Sequence, residues 1–242
     1  IAFLDDDSYP EADWLKKSID LLEKRKVSTV CGPGLTPPWD SYSQKITGGI
    51  LSSIFGSGPY FYRFIKAPSR FVDDYPAYNM VVDKRVLEHV GGWGTKFYGG
   101  EDTALCLKII QSGEKILYHP DIVVYHHRRH FPFEYMKQVG NVGLHRGYFV
   151  KAYPETSFRP SYFAPAIFTL VSPLVLFSLF SSDLFYFSLL AFFIYYVIIL
   201  FELRNKVALN VLIFVPFAIL INHWSYGYKF IQGLLFTDSL HR

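Results

Sequence analysis

Cysteine is scarce. Only Cys31 and Cys106 occur, with no CxxC pair and no zinc-ligand spacing. That excludes a disulfide-stapled scaffold and a structural zinc site, and both residues read as buried thiols. Net charge is short too. A formal +3 over 242 residues makes no field that would gather nucleic acid, so no nucleic-acid partner is expected. No HExxH is present, and Gly56-Ser57-Gly58 lacks a preceding strand and a third glycine, which removes the zinc-hydrolase and dinucleotide fingerprints. An initiating Met is missing as well. The chain opens on Ile1 inside an apolar run, and the expectation is a fragment of a longer protein, cut within a sheet.

What is abundant is apolar surface. Half the residues are hydrophobic and 19% are aromatic, a balance that points to membrane contact. Tyr162 to Ser182 and Leu184 to Phe201 contain no Lys, Arg or Glu, and each approaches the ~20 residues that span a bilayer. Glu202 to Lys206 is a charged break. Val207 to Ile221 resumes the apolar run, and with Asn222 to Tyr228 it makes a third span or a re-entrant segment. Arg204 and Lys206 place that break in the cytoplasm, and the residues before Tyr162 with it. Phe131 to Lys151 mixes aromatic and basic residues in a pattern suited to a helix at a membrane surface. The expected organisation is a catalytic part over 1–130, an interfacial helix and linker over 131–160, and a multi-pass membrane domain over 161–242.

Four apolar residues run straight into three acids at Ile1-Ala2-Phe3-Leu4-Asp5-Asp6-Asp7. The apolar part reads as a buried strand with the acids where it leaves the sheet. Clustered carboxylates repel, and Mg²⁺ or Mn²⁺ would offset them while bridging to phosphate oxygens. A solvated turn is the other reading. Next come a helix from Pro10 with Trp14, Leu15, Ile19 and Leu22 at helical spacing, and a β-branched run over Val27 to Cys31. Strand, helix and strand make an α/β signature. Leu35 to Pro68 is less regular: Gly56 to Gly58 reads as a loop, and the aromatics close behind it pack on the core, or else stack on sugars or touch lipid.

Asn79 to Val82 forms a strand, and Lys84 to Val90 a helix closed by Gly91-Gly92. Trp93 to Tyr98 is an aromatic loop. Behind Gly99 and Gly100, Glu101 and Asp102 open a helix that ends at Gly113. Acids there cap a helix or do chemistry. Ile116 to Tyr118 and Ile122 to Tyr125 are short strands that run into His126-His127-Arg128-Arg129-His130. This basic cluster ligates a metal, holds a diphosphate, or is a solvated loop.

Taken in order, Phe3-Leu4-Asp5-Asp6-Asp7, Asn79-Met80, Gly91-Gly92-Trp93, Gly100-Glu101-Asp102 and Tyr125-His126-His127-x-Arg129 resemble the GT-A family 2 glycosyltransferases. The similarity is greatest to the membrane-attached members that build surface polysaccharides. His223-x-Ser225-Tyr226-Gly227 resembles the end of that subgroup. The resemblance implies an α/β fold: a partial GT-A sheet with flanking helices, followed by C-terminal transmembrane helices. It implies inverting, metal-dependent transfer from a nucleotide-diphospho-sugar to a glycan or polyprenyl-linked acceptor at the cytoplasmic membrane face. Asp5, Asp7 and His126 correspond to the Mg²⁺ or Mn²⁺ site, and Asp6, His127 and Arg129 to the donor diphosphate site. Asp102 corresponds to the general base, kept ionised by the helix N-terminus, with Glu101 holding the acceptor. Asn79, Trp93 and Gly100 would line the sugar site.

Two departures bear on function. The processive Gln-x-x-Arg-Trp element is unmatched, since Gln138-Val139-Gly140-Asn141-Val142 has neither Arg nor Trp, so transfer of a single sugar is expected. The family's N-terminal, base-binding half of the sheet is also absent. Two rival readings stand beside this one. One is a membrane-anchored binding module without catalysis. The other resembles the haloacid-dehalogenase-like phosphatases, with Asp5 as nucleophile, Asp7 as acid–base, and Asp73-Asp74 as distal metal acids.

Overall fold

The computed structural model describes residues 1–94 and 100–240. Most of the expected aromatic loop after Trp93, and Gly99, lie outside the described residues. The strands are β1 (Ala2–Leu4), β2 (Ser8–Pro10), β3 (Thr29–Cys31), β4 (Gly34–Leu35), β5 (Arg70–Val72), β6 (Asn79–Val82), β7 (Ile116–Tyr118) and β8 (Val124–His126). The helices are α1 (Trp14–Arg25), α2 (Tyr42–Ser52), α3 (Ile54–Ser57), α4 (Lys84–His89), α5 (Glu101–Gln111), α6 (Phe133–Ala152), α7 (Pro154–Ser157), α8 (Pro160–Val171), α9 (Ser182–Leu203), α10 (Leu209–Leu212) and α11 (Val215–Phe236). They form two compact units, one of residues 1–40, 62–127 and 239–242, the other of 41–61 and 128–238.

The first unit is mixed α/β. Its larger sheet has the order β1-β6-β3-β7-β5, and a smaller one the order β2-β8-β4. β3 and β7 run parallel, while β6 pairs antiparallel with both β1 and β3. β3 and β7 are buried throughout, as a sheet covered on both faces requires. α1 lays Trp14, Leu21 and Leu22 against Val27, Val30, Val81 and Leu117. Two expectations change here. β1 is an edge strand, with Ile1 and Leu4 exposed, because β6 is its one partner among the described residues. Leu15 and Ile19 face outward, since Trp14 selects the neighbouring face of α1.

The second unit is helical. The glycine-rich stretch after Leu35 contains α2, which opens with a reciprocal Ser41–Gln44 capping box. Such a box satisfies two of the helix's orphan donors. α11 packs against both α6 and α8. The α6–α11 contact depends on missing side chains. A Cβ at Gly147 would lie 2.1 Å from the Phe230 carbonyl oxygen, and one at Gly143 2.4 Å from that of Tyr226. Small residues four apart let two backbones approach this closely. Gly147→Ala should therefore force the helices apart and cost about 1–3 kcal/mol. A thermal unfolding midpoint equal to the parent's would contradict this packing.

Two helical stretches, Pro160–Phe180 and Ser182–Leu203, are long and apolar enough to cross a membrane. Phe180 is 87% exposed and Phe187 70%, far more than a buried core helix leaves in water. α11 is not one of the two; Asn222, His223 and Lys229 interrupt its apolar run. Glu202, in the charged break, accepts hydrogen bonds from Ser53 Oγ (2.7 Å) and the Ile54 amide (2.9 Å). It thereby satisfies donors at the start of α3.

Candidate active site

β1 ends at Leu4, and the chain turns at once into β2. The Ser8 amide and hydroxyl both donate to the Asp5 carbonyl, at 3.2 and 2.7 Å. The acids thus occupy a closed turn between the two sheets. β2 pairs with β8 in the register Ser8↔His126, and the His127 amide donates to the Asp7 carbonyl at 3.1 Å. This pairing brings residues 5 and 126 together. His126 Nε2 lies 2.9 Å from Asp7 Oδ1 and 3.6 Å from Asp5 Oδ2. The ligand atoms of Asp5, Asp7 and His126 all fall within 4.8 Å of one another.

Donors around a small divalent ion sit about 3 Å apart, and this set fits that spacing. Two carboxylate oxygens and one imidazole nitrogen suit Mn²⁺, and Mg²⁺ with water completing its shell. The Tyr78 ring packs 4.9 Å from the His126 ring and limits its orientation.

Asp102 sits in the first turn of α5, after Gly100 at φ +81°. That left-handed backbone is costly for any residue with a Cβ, so glycine belongs there. Burial pushes the Asp102 carboxyl up to about 7, and the charges of Glu101, Asp74 and Asp5 push the same way. A hydrogen bond from the Ala77 backbone opposes them. The expectation that the helix N-terminus keeps this acid ionised is thereby corrected. Desolvation outweighs the helix dipole, which is worth ~0.3–1 kcal/mol. The Asp5 contribution also places the base candidate within electrostatic reach of the acid cluster. Beside it, Glu101 Oε2 is buried without a hydrogen-bond partner among the described residues. A buried acceptor with no donor costs about 1–3 kcal/mol, and a ligand hydroxyl would satisfy it.

The other sequence-derived residues are placed differently. Asn79 is fully buried. Its Oδ1 accepts from Trp14 Nε1 at 2.8 Å, and its Nδ2 donates to the carbonyls of Gly32 (2.6 Å) and Ile122 (2.7 Å). Paired with Leu4 across β1–β6, it staples the strand end from which the acid turn leaves. Trp93 meets Phe3 edge-on, with ring centroids 5.0 Å apart. Asp6 is exposed at the crest of the turn. His127 bonds Asp40 through Nδ1, and its Nε2 lies 2.6 Å from the Tyr9 hydroxyl. Arg129 belongs to the second unit, where its carbonyl accepts from Thr47 Oγ1 at 2.9 Å.

Asp74 is 2% exposed. It meets Arg63 at 3.5 Å and accepts from Thr103 Oγ1 at 3.0 Å. Those bonds tie it to the interior and leave the phosphatase reading without its inner distal acid. Cys31 and Cys106 are free and buried, and burial pushes both thiols up, which makes them inert.

A curated relative matches part of this chain. The pre-mycofactocin glycosyltransferase of Mycobacterium tuberculosis, in strains CDC 1551 / Oshkosh and ATCC 25618 / H37Rv, is 26% identical over 137 residues. The likeness supports a glycosyltransferase. The match covers 53% of this chain and 27% of that protein, so the chain spans about a quarter of the relative's length. No protein-family model matches the chain.

Proposed function

We propose that this chain carries the catalytic centre of a GT-A family 2 glycosyltransferase. The reaction is an inverting, metal-dependent transfer from a nucleotide-diphospho-sugar to a glycan or polyprenyl-linked acceptor. The single observation that carries the reading is the convergence of Asp5, Asp7 and His126 at the turn after β1. When bound, Mg²⁺ or Mn²⁺ supplies Lewis-acid neutralisation of the departing diphosphate. The chain's own residues do the rest. Asp102 accepts the proton of the acceptor hydroxyl. That oxygen forms its bond to the anomeric carbon on the face opposite the diphosphate. The bond to the diphosphate oxygen breaks, and the nucleoside diphosphate leaves with the electron pair. A carboxyl at about 7 is well matched to this task near neutral pH. Glu101 Oε2 orients the acceptor by accepting a hydrogen bond from a second hydroxyl. Asp6 and His127 are assigned to the donor side, and Trp93 and Gly100 to the sugar side, by the family resemblance. Asn79 acts as a positioning residue, holding the strand end under the acids.

The apolar stretches Pro160–Phe180 and Ser182–Leu203 support a membrane-attached enzyme, with the catalytic part on the cytoplasmic side. The decisive product is stereochemical. An α-linked nucleotide sugar should yield a β-glycoside, read by the anomeric proton coupling in NMR. An α-glycoside would overturn the inverting mechanism.

A further inference from the structure

Three aromatic side chains, Tyr9, Trp39 and Tyr125, are not used by the mechanism above. On the small sheet, Tyr9 of β2 stands opposite Tyr125 of β8. Trp39 packs against both, with ring centroids 6.3 Å from Tyr9 and 5.8 Å from Tyr125. Trp39 is 63% exposed and Tyr9 46%, so the rings form an open shelf. The shelf is held from behind. The buried Asp40 carboxylate is hydrogen-bonded to His127 Nδ1, and His127 Nε2 is hydrogen-bonded to the Tyr9 hydroxyl at 2.6 Å. The His127 ring also meets the Tyr9 ring edge-on at 5.2 Å. An Asp–His–Tyr chain therefore fixes the orientation of an exposed aromatic, at a cost in side-chain freedom that solvent contact alone does not require.

We propose that Trp39, Tyr9 and Tyr125 are a stacking subsite for a pyranose ring of an oligosaccharide acceptor. The proposal rests on the glycosyltransferase reading and adds the acceptor class. Sugar rings present a face of C–H groups that packs on flat aromatic rings, while their hydroxyls seek polar groups at the rim. No Lys or Arg lies over Tyr9, Trp39 or Tyr125 among the described residues, so their ring faces are left to C–H donors.

Strand alternation adds a second point. His126 projects to one face of β8, and Tyr125 and His127 to the other. A ring on the shelf is therefore not the sugar whose hydroxyl reacts beside Asp5, Asp7 and Asp102. It is another unit of the same glycan. This predicts that affinity depends on acceptor length.

The test uses the full chain in detergent micelles and neutral gluco-, manno- and galacto-oligosaccharides of one to five units. Saturation-transfer NMR reads binding. Affinity should rise with length for at least one series. Trp39→Ala should remove that gain, a loss of about tenfold, and Trp39→Phe should restore most of it. Length-dependent binding that is the same in Trp39→Ala would overturn the subsite, as would no oligosaccharide binding by the parent. A lipid role reads out separately. If bromine-labelled phosphatidylcholine in nanodiscs quenches the part of the emission that Trp39→Phe removes, the shelf faces lipid and the proposal fails. Failure of the transferase reading looks different. Trp39-dependent binding would persist, supporting the subsite, with no nucleoside diphosphate released from any donor.

Discussion

Asp102→Asn should lower sugar transfer by about 10²- to 10⁴-fold, the usual contribution of a positioned base. Donor binding should survive, because the acid turn is untouched. The same substitution should make the protein more stable at pH 8. The sign follows from the direction of the shift. The folded carboxyl is raised from 3.8 to about 7, so the folded state holds its proton more tightly than the unfolded chain. The stability this gives is fully present below pH ~4 and is lost as pH rises through about 7. Above pH 7 the parent carries the whole penalty of a buried charge. The neutral amide avoids it, with a gain of up to about 4 kcal/mol. Unfolding midpoints at pH 5 and pH 8 test the linkage, and an Asn variant less stable than the parent at pH 8 would contradict it. Activity should follow the same group. Below pH 7 the parent's transfer rate should fall about tenfold per pH unit. A cation on Asp5 and Asp7 would offset part of the Asp5 repulsion and move the inflection below 7.

Asp7→Ala should abolish metal-dependent turnover at micromolar Mn²⁺. It removes the carboxylate that lies 2.9 Å from His126 Nε2. Loss of an outer-shell partner alone typically costs 10- to 100-fold in metal affinity, and loss of a direct ligand should cost about 100-fold or more. Mn²⁺ paramagnetic resonance titration reads this without any turnover. Asp6→Asn is the contrast. Asp6 is exposed and outside the three-residue cluster, so its effect on Mn²⁺ affinity should be much smaller. Equal losses in the two variants would mean that the whole turn attracts the ion diffusely and no defined site exists.

Three carboxylates at the end of an apolar run marked a candidate cluster in the sequence, with a solvated turn as the other reading. Their partner His126 was legible as a ligand type, and the β2–β8 register, a long-range pairing, brings the three residues together. The interior of the site was harder to read. Asn79 looked like a sugar ligand in a motif. Its burial and its bonds to Trp14, Gly32 and Ile122 depend on three segments distant in sequence. The raised pKa of Asp102 depends first on its burial in the folded chain, with smaller pushes from Glu101, Asp74 and Asp5, which helix-capping rules do not contain. Tyr9, Trp39 and Asp40 carried no motif, and the β2–β8 pairing with the segment after β4 brings them to Tyr125. In the second unit the apolar runs were plain. α2 was missed although Ser41-x-x-Gln44 signalled its start, because the glycines and aromatics after it read as loop. The role of Gly143 and Gly147 follows from α6 meeting α11, a pairing no local pattern announces.

The most direct test of the central claim is nucleoside diphosphate release from a panel of nucleotide sugars. It should be measured with membranes containing the full-length protein, with Mn²⁺ or Mg²⁺ and after chelation. The account predicts slow release from one donor, dependent on the metal, increased by an acceptor and lost in Asp7→Ala. Mn²⁺ binding at Asp5, Asp7 and His126 with no release from any donor would contradict it and leave a metal-binding module without transferase activity.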